Sequence, residues 1–127
     1  AEVDVCAPCH SRRAERLDGH VPGQPLLMSY RPSLLSEGLY RADGQMQDEV
    51  YTYGSFVQSR MHAAGVTCAD CHDPHSQTLR ADGNALCAQC HLPSVFDVKA
   101  HHGHDANTPG ATCVACHMPV ETYMGID

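Results

Sequence analysis

The chain has 127 residues and a mass of 13.8 kDa, the size of one ordinary domain, with 15 acidic against 8 basic side chains and a formal charge of −7. That balance excludes nucleic acid and an anionic membrane surface as partners, and no apolar run reaches the roughly 18 to 20 residues of a membrane span. There is no Trp and there are only 2 Phe, against 8 Cys and 10 His, so a core made of protein alone is hard to build.

In chain order, Cys6-Ala-Pro-Cys9-His10 opens the sequence, and a short charged helix containing Arg12, Arg13, Glu15 and Arg16 is expected after it. A Gly/Pro loop follows from Gly19 to Pro32. Asp43-Gly44, flanked by Tyr40, Val50, Tyr51 and Tyr53, predicts a small hairpin within Leu39 to Tyr53. Ser55 to Ala64 reads as a helix that Gly65 stops. Thr67-Cys68-Ala69-Asp70 has the form of a capping box, Pro74 ends any helix after His72, and Asn84 is a candidate N-cap. Asp82-Gly83 and Pro109-Gly110 punctuate the gaps.

All eight cysteines fall in four Cys-x-x-Cys pairs, each followed directly by His: Cys6, Cys9 and His10; Cys68, Cys71 and His72; Cys87, Cys90 and His91; Cys113, Cys116 and His117. This is the attachment signature of c-type haem. Two thiols three positions apart lie on one side of a helical turn and can each form a thioether with one haem vinyl group. The next imidazole then lies under the iron as its proximal ligand. Cys68, Cys71, Cys87 and Cys90 also match a Cys₄ zinc spacing, but zinc does not require the His. Four such placements by chance come to on the order of 4 × 10⁻⁵, which decides against that alternative and against a disulfide framework. Four covalent haems c therefore supply the missing core. The expected fold is mainly α with much irregular structure, a single haem-cored domain over 1–127 with one minor hairpin, its last three haems crowded into residues 66–127.

Six further imidazoles, His20, His62, His75, His101, His102 and His104, are candidates for the distal iron faces. His75 follows the Pro74 turn and suits a neighbour's haem better than its own. One or two of the His101, His102 and His104 triplet are expected to ligate, with the rest near propionates. His20, in a Gly- and Pro-rich loop, is the weakest candidate, yet the first motif has no other close partner. The competing ligand is Met, at Met28, Met46, Met61, Met118 and Met124, whose ordinary role is packing. Bis-His coordination at most or all irons is expected, and with it low reduction potentials, because Met/His ligation is what raises them.

Several runs resemble a module of bacterial multihaem cytochromes c, often found in larger proteins with tetratricopeptide repeats. They include Cys6-Ala-Pro-Cys9-His10-Ser11-Arg12-Arg13, Leu34-Leu35-Ser36-Glu37-Gly38-Leu39-Tyr40, Ala42-Asp43-Gly44-Gln45, Glu49-Val50-Tyr51 and Tyr53-Gly54-Ser55-Phe56. Met61-His62-Ala63-Ala64-Gly65-Val66-Thr67-Cys68, Cys71-His72-Asp73-Pro74-His75-Ser76, Cys116-His117-Met118-Pro119 and Tyr123-Met124 continue the likeness. The resemblance implies electron transfer in the periplasm or at the cell surface, with His62, His75 and the His101–His104 cluster as iron ligands. Such relatives continue past the position of Asp127 with an Arg-Arg-Asp-His segment. The start at Ala1 and the end at Asp127 are those expected of a processed chain, a fragment or a short form. A His lost there would have to be replaced, for instance by a neighbouring copy in a conducting filament.

Four haems on so short a chain cannot be insulated from one another, so the expected function is electron transfer, as a carrier or a filament subunit, and not catalysis. The alternative is the haem module of an oxyanion reductase, which needs an open iron and a cationic pocket; Arg12, Arg13, Arg16 and Lys99 are the available cations. A structural domain with idle haems is a third, less economical reading. Redox proteins are the expected donors and acceptors, with self-assembly into a homopolymer as a further option. Haem attachment takes place outside the cytoplasm, which places the protein in the periplasm or outside the cell.

Overall fold

The computed structural model describes residues 2–33, 35–49 and 51–120. Leu34, Val50, Tyr123, Met124 and Asp127, which entered the sequence expectations, lie outside the described residues. The chain divides into two compact units, residues 1–70 and 71–127. Both are helical and irregular, as expected, and each contains one small antiparallel hairpin.

The first unit opens with α1 (Glu2–His10), which carries the whole first motif; Ala7 is its buried residue. Ser11 ends the helix by donating its hydroxyl to the Ala7 carbonyl at 2.7 Å. The charged helix expected next is not formed. Instead β1 (Arg13–Glu15) pairs antiparallel with β2 (Tyr30–Pro32), Ala14 opposite Arg31. The reason is a tertiary pairing that overrides local preference: the Arg13 guanidinium lies 4.6 Å over the Tyr30 ring. The Gly/Pro loop between them contains α2 (Leu26–Ser29), whose Leu26 is almost fully buried.

The Asp43-Gly44 turn forms, but closes only a single bridge between Tyr40 and Met46. The hairpin expected over Leu39 to Tyr53 goes no further because its second half folds as α3 (Tyr51–Val57). Gly44 instead offers its carbonyl to Ser55 Oγ at 3.0 Å and Gln58 Nε2 at 2.8 Å. The helix expected over Ser55 to Ala64 is broken at Ser59, whose hydroxyl caps α4 (Arg60–Ala63) by accepting the His62 N–H at 3.1 Å. Gly65 then stops α4 as expected, at φ +91°, where a side chain would be strained. At the next helix, α5 (Cys68–Cys71), the Asp70 carboxylate accepts the Thr67 N–H at 2.7 Å, the reach-back half of a capping box.

The second unit begins with β3 (His72–Asp73) and β4 (Thr78–Leu79), a hairpin turned at Pro74. It continues with α6 (Asn84–Ala88), α7 (Pro93–Phe96), α8 (Lys99–His102), a 3₁₀ turn at Pro109–Ala111 and α9 (Cys113–His117). Asn84 is not the N-cap of α6; Gly83 is, and the Asn84 side chain works elsewhere.

Among the described residues the buried apolar side chains are Ala7, Leu26, Tyr40 and Ala111 alone, while Leu17, Leu92, Met118 and Val120 are each more than 60% exposed. Four small or single side chains make no conventional core. Among the described residues no helix is long and apolar enough to cross a membrane.

Candidate haem sites

The four motifs adopt the local geometry that two-point attachment requires. The first and fourth are helical from the first Cys to the His, and the second is helical from Cys68 to Cys71. The third leaves α6 in a turn in which Cys90 and His91 both donate backbone N–H to the Cys87 carbonyl, at 3.2 and 2.9 Å. In each case one turn puts the two thiols on the same side. All eight cysteines are unbridged; Cys9, Cys90 and Cys116 are exposed and the other five half-buried. Burial, then the neighbouring Cys6 thiol, pushes Cys68 up to about 11, and burial with Cys113 beside it raises Cys87.

The proximal candidates His10, His72, His91 and His117 are all exposed, at the ends of their motifs. In the second unit the rings of His101 and His117 are nearly parallel, centroids 6.2 Å apart and planes 6° apart. Two imidazoles on opposite faces of one metal have centroids about 6 Å apart, given two metal–nitrogen bonds of about 2.0 Å and half of each ring. The spacing of the pair matches that of two axial imidazoles. Phe96, which the sequence did not single out, stands edge-on between His91 at 5.3 Å and His101 at 5.6 Å. The available signal was Pro93, which starts α7 and fixes the turn that presents Phe96.

His102 is turned inward: its Nδ1 accepts the His104 N–H at 3.2 Å and its Nε2 lies 3.8 Å from Asp97. His104 packs over Gly110, where a Cβ would meet its ring at 2.7 Å. His75 is exposed in the β3–β4 turn, its N–H held by Asp73 at 2.9 Å, and this bond with that from Ser76 draws the Asp73 carboxyl below its usual range.

In the first unit His62 Nδ1 lies 3.0 Å from the Val57 carbonyl, which leaves Nε2 as the free donor atom. His62 lines a cavity of about 430 Å³ with Glu2, Asp4, Tyr53, Val57 and Val66, beside the helix of the first motif. His20, the weakest candidate from sequence, packs on Tyr30 at 5.1 Å with both ring nitrogens buried and unpartnered by protein. An imidazole so placed suits a metal bond. Among the described residues no three His, Cys, Asp or Glu side chains gather as a metal cage. Porphyrin iron needs no such cage, since it takes one protein donor on each face.

Helical Cys-x-x-Cys-His turns are the attachment elements of a multihaem c-type cytochrome module, whose cofactor is covalent c-type haem. Residues 61–95 match the family model described as the doubled CXXCH motif, spanning the second and third motifs. No curated protein and no solved structure matches the chain. The module is one of haem-binding electron transfer, and c-type cytochromes are exported proteins.

Proposed function

We propose that this chain is a tetrahaem electron carrier of the periplasm or cell exterior, with most or all irons held by two imidazoles. Bound haem supplies the one-electron ferric/ferrous couple. The chain fixes each haem through Cys6 and Cys9, Cys68 and Cys71, Cys87 and Cys90, and Cys113 and Cys116, with His10, His72, His91 and His117 on the proximal faces. The observation that carries the reading is the 6.2 Å separation of parallel His101 and His117 rings, which supports His101 as the distal partner of the fourth motif. His62 and His20 offer free ring nitrogens in the first unit. His75, His102 and His104 complete the supply, with His102 already engaged inside its loop.

Saturated irons favour carriage over catalysis. Three of the four cations a reductase pocket would use are also engaged: Arg12 lies 3.8 Å from Asp48, Arg13 stacks on Tyr30, and Lys99 bonds Asp105 at 2.7 Å. The partners are redox proteins presenting basic patches. Low-temperature EPR of the ferric protein tests the proposal: low-spin signals alone are expected, and a stoichiometric high-spin iron contradicts it.

A further inference from the structure

The attachment helices are tied together by side chains that cap in trans. The first turn of a helix leaves backbone N–H groups without partners, and the residue just before the helix ordinarily supplies the acceptor. At α5 the Ala69 N–H donates to Glu2 Oε1 at 2.7 Å, and Glu2 is the first residue of α1. At α9 Thr112 makes no cap, its hydroxyl donating to the Pro109 carbonyl instead; the Cys113 N–H donates to Asn84 Oδ1 at 2.9 Å, and Asn84 is the first residue of α6. Thus the first residue of one attachment helix twice holds the start of another. Asn84 is committed further, its Nδ2 donating to the Ala111 carbonyl at 2.9 Å and to Asp97 at 3.1 Å.

The consequence is seen at the thiols. The leading sulfurs of the motifs lie beside one another in the same pairs, Cys68 beside Cys6 and Cys87 beside Cys113. Cys87, Cys113, Asn84 and Phe96 share one small recess. The family match joins the second motif to the third, which are neighbours in sequence. The caps join the first to the second and the third to the fourth.

We propose that Glu2 and Asn84 are positioning residues that pair the attachment motifs two by two, first with second and third with fourth, and so decide which haems are electronically coupled. This rests on the four-haem reading above. A cap contributed by a residue's own helix stabilises that helix alone; a cap from another motif fixes a distance between two cofactor anchors.

The test is Soret circular dichroism of the mature holoprotein, each variant's haem content verified by intact mass. Glu2→Ala and Asn84→Ala should each remove part of the exciton couplet, and the double variant should lose both parts. Glu2→Gln keeps an Oε1 acceptor and should keep the couplet. An alanine variant carrying all its haems with an unchanged couplet overturns the proposal, even if it melts earlier, as does a couplet lost in Glu2→Gln. Should Asn84→Ala not mature, the two Glu2 variants decide, since Glu2 is exposed. An unsubstituted protein with fewer than four haems contradicts the functional reading instead.

Discussion

His62 and Val57 are joined by a bond from ring to backbone: Nδ1 of the imidazole lies 3.0 Å from the carbonyl oxygen that α3 leaves free at its end. A carbonyl can only accept, so Nδ1 carries the proton and Nε2 keeps its lone pair, as an iron ligand requires. Phe56 holds the other side of the ring edge-on at 5.4 Å. His62→Ala should therefore convert one iron to high spin, seen by EPR, while haem content stays unchanged. His62→Met should keep that iron six-coordinate and raise its potential. A spectrum and potentials identical to those of the unsubstituted protein would remove His62 from the ligand set.

Asp4 ties α2 to α1 by accepting the Leu26 N–H at 3.0 Å, and this bond is the main cause that draws its carboxyl below the usual value of 3.8. A depressed folded value means stability that is present in full above the unfolded value and is lost as pH falls through the folded one. Asp4→Asn should lower stability at pH 7 by about 1 kcal/mol or less, since solvent screens this half-buried site. The difference should shrink as pH falls below the usual carboxylate range and vanish once the carboxyl is protonated in both states. A constant difference across the acid range would contradict this assignment.

Gly54 gives Tyr40 its place. A Cβ at Gly54 would lie 2.8 Å from Tyr40 Cζ and nearer still to its hydroxyl, and Tyr40 is one of the few buried side chains. Gly54→Ala should cost about 1–3 kcal/mol as overpacking, read as a lowered melting temperature. Tyr40→Phe in the same chain should recover part of the loss by removing the colliding oxygen. No shift in melting temperature would show that α3 moves aside freely.

The polypeptide charge of −7 is made more negative by two propionates on each haem. A cationic electron donor should reduce the protein faster than an anionic one of similar potential at low ionic strength, and the gap should close as salt is added. Stopped-flow reduction measures it. Equal rates at low salt would remove electrostatic steering from the account.

The turns of the Cys-x-x-Cys-His motifs were legible in the sequence because their geometry is local: two thiols and an imidazole within five residues need only one helical turn. Gly65 and Pro74 were legible for the same reason, since each acts on its own backbone. What could not be read depended on distant partners. Arg13 to Glu15 became a strand because Tyr30 to Pro32 was there to pair with it. Tyr51 to Val57 became helix, which left Asp43-Gly44 with a bridge in place of a hairpin. Asn84 looked like a cap for its own helix, and the residue it holds lies 29 positions further on. His20 was placed in an unpromising loop by composition, and only tertiary packing on Tyr30 showed its two ring nitrogens buried without partners.

With so few buried apolar side chains, the fold described here depends on cofactors held through its thiols. Intact-mass spectrometry of the mature protein under denaturing conditions tests that dependence most directly. The polypeptide mass plus four haems is expected, surviving denaturation because thioethers do not dissociate. The bare polypeptide mass, or a mass that falls to it on unfolding, would contradict it.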